Sequence, residues 1–575
     1  KSKSLHQLIY YLGVARKVVG FRSYSVNLNP EVDPDEPMLL ALETLYNYSG
    51  DATQYKTFGQ ISPWPNPKNE IKTQLANVDI EIQKVVAGLI LNLIDSHRWW
   101  CTMKAAQAVD DAAYQLDTLL KRREINLKSQ RFNYITPLGR IIIGGGEKDS
   151  YNFPDIFILV ELGGDDVYRG SVGAGSGVNI PISVAIDMDG DDVYENNSVL
   201  SPSQGSGMLG TGILYDMMGN DRYTSLTLSQ GAGFFGVGVL FDGEGKDSYK
   251  LETSGQGAGY FGMGFSFDVK GNDSYYIYGE GQGFGGVSGI GVLANFEGDD
   301  EYTAEPSSKV VNRGDYHSQF KINVNNAQGV GSGRRGDGSD GHSWAGGLGA
   351  IIDIKGNDSY ESGNWSLGTG YWFGTGIAFD GSGDDKYRSV YFTQASGAHY
   401  CIGALIDEGG DDTHILYETA GAGLAFGWDY TNALFVDKGG NDSYEARIIS
   451  FGLAQIRSNA FFFDLGGDDI YKFGKGAEGM GAATFRKDYK VPNPFAPYYT
   501  YSNSVGIFID ISGTDKYLQW NYKNDRVEES RKFQNNIMWL NPPEGSENYG
   551  YNNFGIGIDS EKGTIPELHF FEKER

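Results

Sequence analysis

The sequence predicts a mostly β chain: a parallel β-helix, or β-solenoid, of about 12–13 coils of about 26–30 residues each, with an N-terminal α-helical domain. Three observations predict it. Glycine is in excess, with 82 residues in 575, yet there is no glycine at every third position and only 17 prolines, so collagen is excluded. The chain is 40 % hydrophobic and 13 % aromatic, too apolar for disorder. Above all, an eight-residue pattern Asp-x-x-Gly-x-Asp-x-Tyr recurs twelve times, starting at Glu161, Asp187, Asp216, Asp242, Asp268, Asn295, Asp353, Asp380, Asp407, Asp437, Asp464 and Asp510. The fourth position is always Gly and the sixth always Asp, while the eighth is Tyr except at His414.

Each coil is expected to be a strand, a glycine-rich corner, a second strand, the acidic turn and a return strand. Ahead of the turns the chain alternates with period two, as in Phe261-Gly-Met263-Gly-Phe265-Ser-Phe267. The large residues are expected to face the core and the small ones outward, and the Tyr after each turn to begin the next inward column. Four residues before the motif eight copies carry Gly, at 212, 238, 264, 291, 349, 376, 403 and 506. A second signature begins at Gln204, Gln230, Gln256 and Gln282, each followed by Gly-x-Gly, with another at Gln328 away from its nearest turn. A unit this short cannot bury its own apolar face, so it must stack, with strands about 4.8 Å apart. A β-propeller is the competing architecture, but its four-stranded blades need about 40 or more residues.

Residues 1–138 carry no repeat and are expected to form a helical cap or docking domain. Glu81 to Ile94 and Cys101 to Leu120 show apolar spacing of three to four, and Asp33 to Pro37 leads into another helix. Residues 139–565 form the solenoid, with insertions at about 303–345 and 472–503, and 566–575 a tail. The apolar run Val85 to Ile94 is shorter than the ~18 residues a membrane span needs. The chain begins at Lys1, in keeping with processing, and two cysteines, Cys101 and Cys401, make no disulfide framework.

The formal net charge is −27, which argues against nucleic acid and suits multivalent cations or basic partners. The first, fifth and sixth motif positions hold 29 of the 74 acidic residues, more than the whole surplus. Stacking places Asp187, Asp216, Asp242, Asp268, Asp353, Asp380, Asp407, Asp437 and Asp464 in one ladder, and Asp192, Asp221, Asp247, Asp273, Asp358, Asp385, Asp412, Asp442 and Asp469 in a second. Carboxylates about 5 Å apart repel one another unless hard cations, turn N–H groups or raised pKa values relieve them. Ca²⁺, which takes oxygen ligands, suits such a stack. Pure turn chemistry is the alternative, because an Asp at the head of a tight turn accepts its own downstream N–H groups. Lys246 and Thr514 favour that alternative locally.

Gly439-Gly440-Asn441-Asp442-Ser443-Tyr444 and Gly466-Gly467-Asp468-Asp469-Ile470-Tyr471 resemble the second half of the RTX (haemolysin-type) calcium-binding repeat. The resemblance implies Ca²⁺ between successive turns and an extracytoplasmic protein: secreted, periplasmic or cell-surface. The chain departs from that family in having one acidic turn per coil and a coil half as long again.

No catalytic motif is evident, whether His-Glu-x-x-His, Cys-x-x-Cys, phosphate loop or nucleophile elbow. The strongest polar cluster off the ladder is Arg334, Arg335, Asp337 and His342, in the first insertion beside Arg313-Gly314-Asp315; a surface loop is the plainer reading. His97-Arg98-Trp99-Trp100-Cys101 is expected to be helix-end packing. His399 lies near Cys401 on one strand, and a neighbouring coil places Trp372 in the same column as His399, where aromatic side chains either pack or stack on sugars. The expectation is therefore a non-catalytic scaffold presenting a flat repetitive surface to a protein or polysaccharide partner. The alternatives are a β-helix carbohydrate-active enzyme, polysaccharide lyase or hydrolase, working at the inserted loop, and a structural subunit of a larger surface or envelope assembly.

Overall fold

The computed structural model describes residues 36–52, 68–98, 102–122, 130–177, 179–311, 314–315, 321–336, 340–417, 421–475, 479–484, 503–521, 524–541 and 553–562. The solenoid is present, and it is three-sided. In one coil, Val237–Asp242 lies on sheet one, the acidic turn leads to Ser248–Gly255 on sheet two, and a corner at Gln256 leads to Gly259–Tyr260 on sheet three. Sheet one has sixteen strands; all pair in parallel except the outermost one at each end. Sheet three runs from Gly175 to Thr484, continued across Gly285 by single bridges, and gives about eleven complete coils.

Register is strict. Gly238 pairs with Gly264 and Asp242 with Asp268 on sheet one, and Tyr249 pairs with Tyr275 on sheet two. The Tyr after each turn does face inward: Tyr194, Tyr223, Tyr249 and Tyr302 are fully buried and stack face to face, with centroids 4.7 Å apart for Tyr194–Tyr223 and 4.8 Å for Tyr223–Tyr249.

The alternation on sheet one is the reverse of the expected one. In Met263–Asp268 the buried residues are Gly264, Ser266 and Asp268, while Phe265 and Phe267 face outward, half-buried. The interior is too narrow for a large side chain at the glycine column. A Cβ on Gly264 would lie 2.1 Å from the Ala258 carbonyl oxygen of sheet three, and one on Gly238 2.2 Å from that of Ala232. The eight glycines mark where sheet three crosses directly against sheet one, backbone to backbone. Sequence patterning sees only that large and small alternate, and the wide, apolar outer face satisfies the same pattern.

Four helices, α1 (Pro37–Ala52), α2 (Lys68–Leu75), α3 (Ile80–Arg98) and α4 (Thr102–Lys121), form a layer on that outer face: α4 lies against strands Ile182–Asp187 and Thr211–Asp216, α3 packs on α4, and α1 packs on α3. Pro37 opens α1, where its missing N–H costs nothing, and Asp79 caps α3 by accepting the Glu81 N–H at 2.8 Å. Leu93, Val109 and Leu116 join Ile158, Ile186, Ile213 and Phe241 in one apolar cluster, and the Tyr215 hydroxyl donates to Asp110 at 3.1 Å. The helices thus cover the side of the early coils. Farther along, Phe265, Val292, Ile377, Phe379, Phe461 and Ile507 continue the outer column half-exposed. No described helix is long and apolar enough to cross a membrane.

The stretch after Tyr302 is one enlarged coil. Tyr302 pairs directly with Tyr360, and Val324–Ala327 and Gly331–Ser332 supply its second and third sides. Gln328 occupies the same corner as Gln282 and Gln256, so the excursions lie on either side of it. Of the second insertion, residues 485–502 lie outside the described residues, as do Trp99, Trp100 and Cys101 and the tail.

Candidate functional site: the buried acidic ladder

Each acidic turn carries three stacked columns with different partners. The fifth position is exposed. Its side-chain oxygen accepts the fifth-position N–H of the next coil, as Asp191 does from Asn220 at 2.9 Å and Asp411 from Asn441 at 2.8 Å. Lys246 stands in this outer column and not among the buried carboxylates, so it does not interrupt the interior.

The first position is buried and satisfied at one oxygen, the other being without a partner in Asp216, Asp242, Asp380 and Asp510. One oxygen accepts the Tyr hydroxyl of the preceding coil: Asp242 from Tyr223 at 2.6 Å, Asp268 from Tyr249 at 2.7 Å, Asp353 from Tyr302 at 2.7 Å. The other oxygen caps its own turn in several coils, as Asp407 does with the Gly409 N–H at 3.0 Å and Asp437 with Gly439 at 3.1 Å. Turn-capping therefore accounts for much of this column.

The sixth position is different. Its Oδ1 accepts the backbone N–H of the sixth-position Asp one coil back, at 2.6 Å from Asp192 to Asp221 and from Asp221 to Asp247. Its Oδ2 is left without a hydrogen-bond partner in Asp192, Asp221, Asp247, Asp300, Asp358, Asp385, Asp412, Asp442 and Asp469. All nine side chains are at most 3 % exposed. Except at Asp300, whose coil has Asn295 in the first place, each such group belongs to a coil with a first-position Asp, and the triads join these two with the sixth-position Asp of the coil before. Asp166, Asp187 and Asp192 form one triad, Asp221, Asp242 and Asp247 another, and Asp247, Asp268 and Asp273 a third, with ligand oxygens within 4.8 Å of one another.

Oxygens this close can share one coordination shell, since Ca²⁺ binds oxygen at about 2.4 Å. A triad supplies three of the six to eight ligands Ca²⁺ takes. The residues present thus fit a hard cation, which would supply the positive charge the column lacks. Without one, protons must do so. Burial, then the charges of Asp242 and Asp268, pushes Asp247 up to about 11. Burial and the Asp187 charge push Asp192 up to about 10, and burial raises Asp300 to about 9. Buried acid groups this close cannot all ionise.

Two copies break the pattern. Asn295 replaces the first-position Asp, and its Nδ2 donates to Asp273 Oδ2 at 3.4 Å. His414 replaces Tyr, stacks on Tyr387 at 4.4 Å and is held neutral by burial, its pKa down to about 3. Patterning gave no role to the corner glutamines. Gln256 has φ 50°, a strained conformation, and its side-chain amide donates to the Tyr249 and Tyr276 carbonyls of two coils, both at 3.2 Å. The signal was its fixed place before Gly-x-Gly.

The inserted-loop residues separate. Arg334 pairs with Asp340 at 2.8 Å, and His342 is exposed beside the same carboxylate; Asp337 lies outside the described residues. Arg335 turns the other way, its Nη1 2.6 Å from His399 Nε2. Cys401 is buried, its thiol pushed up to about 12 by burial. The structure shows stacked acidic turns and a tyrosine ladder in a β-solenoid, and no family model, curated protein or solved structure matches the chain.

Proposed function

We propose that the protein is an extracytoplasmic scaffold, rigidified by Ca²⁺ along its acidic ladder, that presents the outer face of sheet one to a protein partner. The observation that carries this reading is the row of nine buried, unpartnered Oδ2 atoms, repeated at the same place coil after coil. Turn-capping alone does not call for a second buried acidic column, which must be neutralised either by a cation or by protons shared with the first-position Asp. Ca²⁺ between coils neutralises the column and ties neighbours together, so the rod stiffens along its length. Extracellular calcium modules work at about 10⁻⁴–10⁻³ M, a range that fits an extracytoplasmic setting. The half-exposed apolar column beyond the helices supports the scaffold role, since the chain's own helices already use the earlier part of that face.

Equilibrium dialysis with ⁴⁵Ca²⁺, paired with thermal melts in chelator and in millimolar Ca²⁺, tests the reading. Several ions bound per chain and a melting temperature raised by Ca²⁺ are expected. No bound ion and an unchanged melt would leave protons as the only neutralising agent and overturn it.

A further inference from the structure

A second site lies away from the ladder. Where sheets two and three meet, over the coils from Trp365 to Ile449, a cavity of about 670 Å³ opens beside the enlarged coil. It falls in the roughly 300–1,000 Å³ range of small-ligand sites. One wall is aromatic, formed by Trp365, Tyr371, Tyr391 and Trp428; Arg335, His399 and Asp315 are among the polar groups that line it. Three successive coils and the insertion must all be in place to build it.

The polar groups are held in a fixed chain. Asp429, only 5 % exposed, lies 2.7 Å from His399 Nδ1, and Arg335 Nη1 lies 2.6 Å from Nε2. Arginine can only donate, so Nε2 accepts and Nδ1–H donates to Asp429. The Arg335 guanidinium also lies 5.4 Å from the Trp372 ring centre, and Trp365 Nε1–H donates to Asp315 at 3.2 Å. Arg335 and Asp429 are thus linked through His399, and Asp315 is the carboxylate that lines the cavity.

We infer that this groove binds a neutral oligosaccharide. The charges within it offer no net positive field for a phosphate, sulfate or uronate, and the chain as a whole is strongly acidic. Arg335 inside the groove opposes a cationic ligand. A pyranose ring has an apolar C–H face that packs on an aromatic wall and hydroxyls that both donate and accept, which suits the Arg335 guanidinium and the Asp315 carboxylate beside Trp365 and Trp428. The enlarged coil supplies Asp315 and Arg335, which accounts for an excursion at this point of the rod. This site does not depend on the ladder binding Ca²⁺.

Titration of the whole chain with neutral glucose-, mannose- and galactose-based hexasaccharides, and with uronate and sulfated counterparts, followed by tryptophan fluorescence and calorimetry, tests it in chelator and in Ca²⁺. Binding of a neutral hexasaccharide is expected, weakened at least tenfold in Trp428→Ala and in Arg335→Met, and unchanged in Arg334→Ala. Melting curves establish that the variants fold; if Trp428→Ala does not, Arg335→Met carries the comparison. Binding of none of the probes, tighter binding of the anionic series, or undiminished binding in both groove variants would overturn the inference. Cleavage of the probe, read by product chromatography, would overturn assignment as a binding site alone.

Discussion

Replacing Asp247 by Asn separates the proton-neutralised ladder from the cation-neutralised one. Asn is isosteric and keeps the acceptor that takes the Asp221 N–H at 2.6 Å. In chelator, Asp247 is protonated in the fold, its pKa pushed up to about 11, against an ordinary value of 3.8. The folded pKa is the higher one, so the group's contribution to stability is complete below pH 4 and lost as pH rises towards 11. At pH 7 the wild type must take up a proton that the unfolded chain does not hold, at a cost of about 4 kcal/mol from 1.36 kcal/mol per unit. Asn avoids that cost. Asp247→Asn is therefore expected to be more stable than wild type in chelator at pH 7, with an advantage that grows by about 1.4 kcal/mol per pH unit between pH 5 and 9. In millimolar Ca²⁺ the order reverses, because Asp247 belongs to two triads and Asn brings no charge to either. Denaturant melts at pH 5, 7 and 9, with and without Ca²⁺, give the comparison. A stability difference that does not vary with pH in chelator would refute the buried-proton argument, and the same order with and without Ca²⁺ would refute the calcium one.

The ladder should release protons as Ca²⁺ enters, since the two compete for the same oxygens; a pH-stat titration at pH 7 is expected to record acid release that shrinks as pH is raised towards 10. Gly264→Ala places a methyl 2.1 Å from the Ala258 carbonyl oxygen and is expected to cost about 1–3 kcal/mol or more, while Ser266→Ala, two residues on and also facing inward, changes stability far less; denaturant melts of the pair check this. Tyr302→Phe removes the donor to Asp353 at 2.7 Å and is expected to destabilise by about 1–3 kcal/mol at unchanged packing volume. His414→Tyr restores the repeat residue between Tyr387 and Tyr444 and is expected to raise the melting temperature, by about 0.5–2 kcal/mol in stability.

The twelvefold motif was enough to read the solenoid, its register and the stacking of Asp on Asp, because identical turns spaced by one coil bring identical residues together whatever the cross-section. It was not enough to say which side of sheet one faces in. Phe265 and Gly264 alternate equally well in either sense, and the choice rests on how closely sheet three passes behind Gly264. Nor did it separate the acidic positions, since the exposed Asp191, the capping Asp407 and the orphaned Asp247 differ in what faces them across coils. The groove at Trp365, Arg335 and His399 was still less legible, because its members come from separate coils and an insertion, and only the stacking of the chain makes them neighbours. The sequence by itself determined the repeat, the strand register and the existence of an acidic column. The tertiary structure decided what lies inside, because burial and hydrogen-bond partners depend on the distance between sheets, a quantity that no single coil encodes.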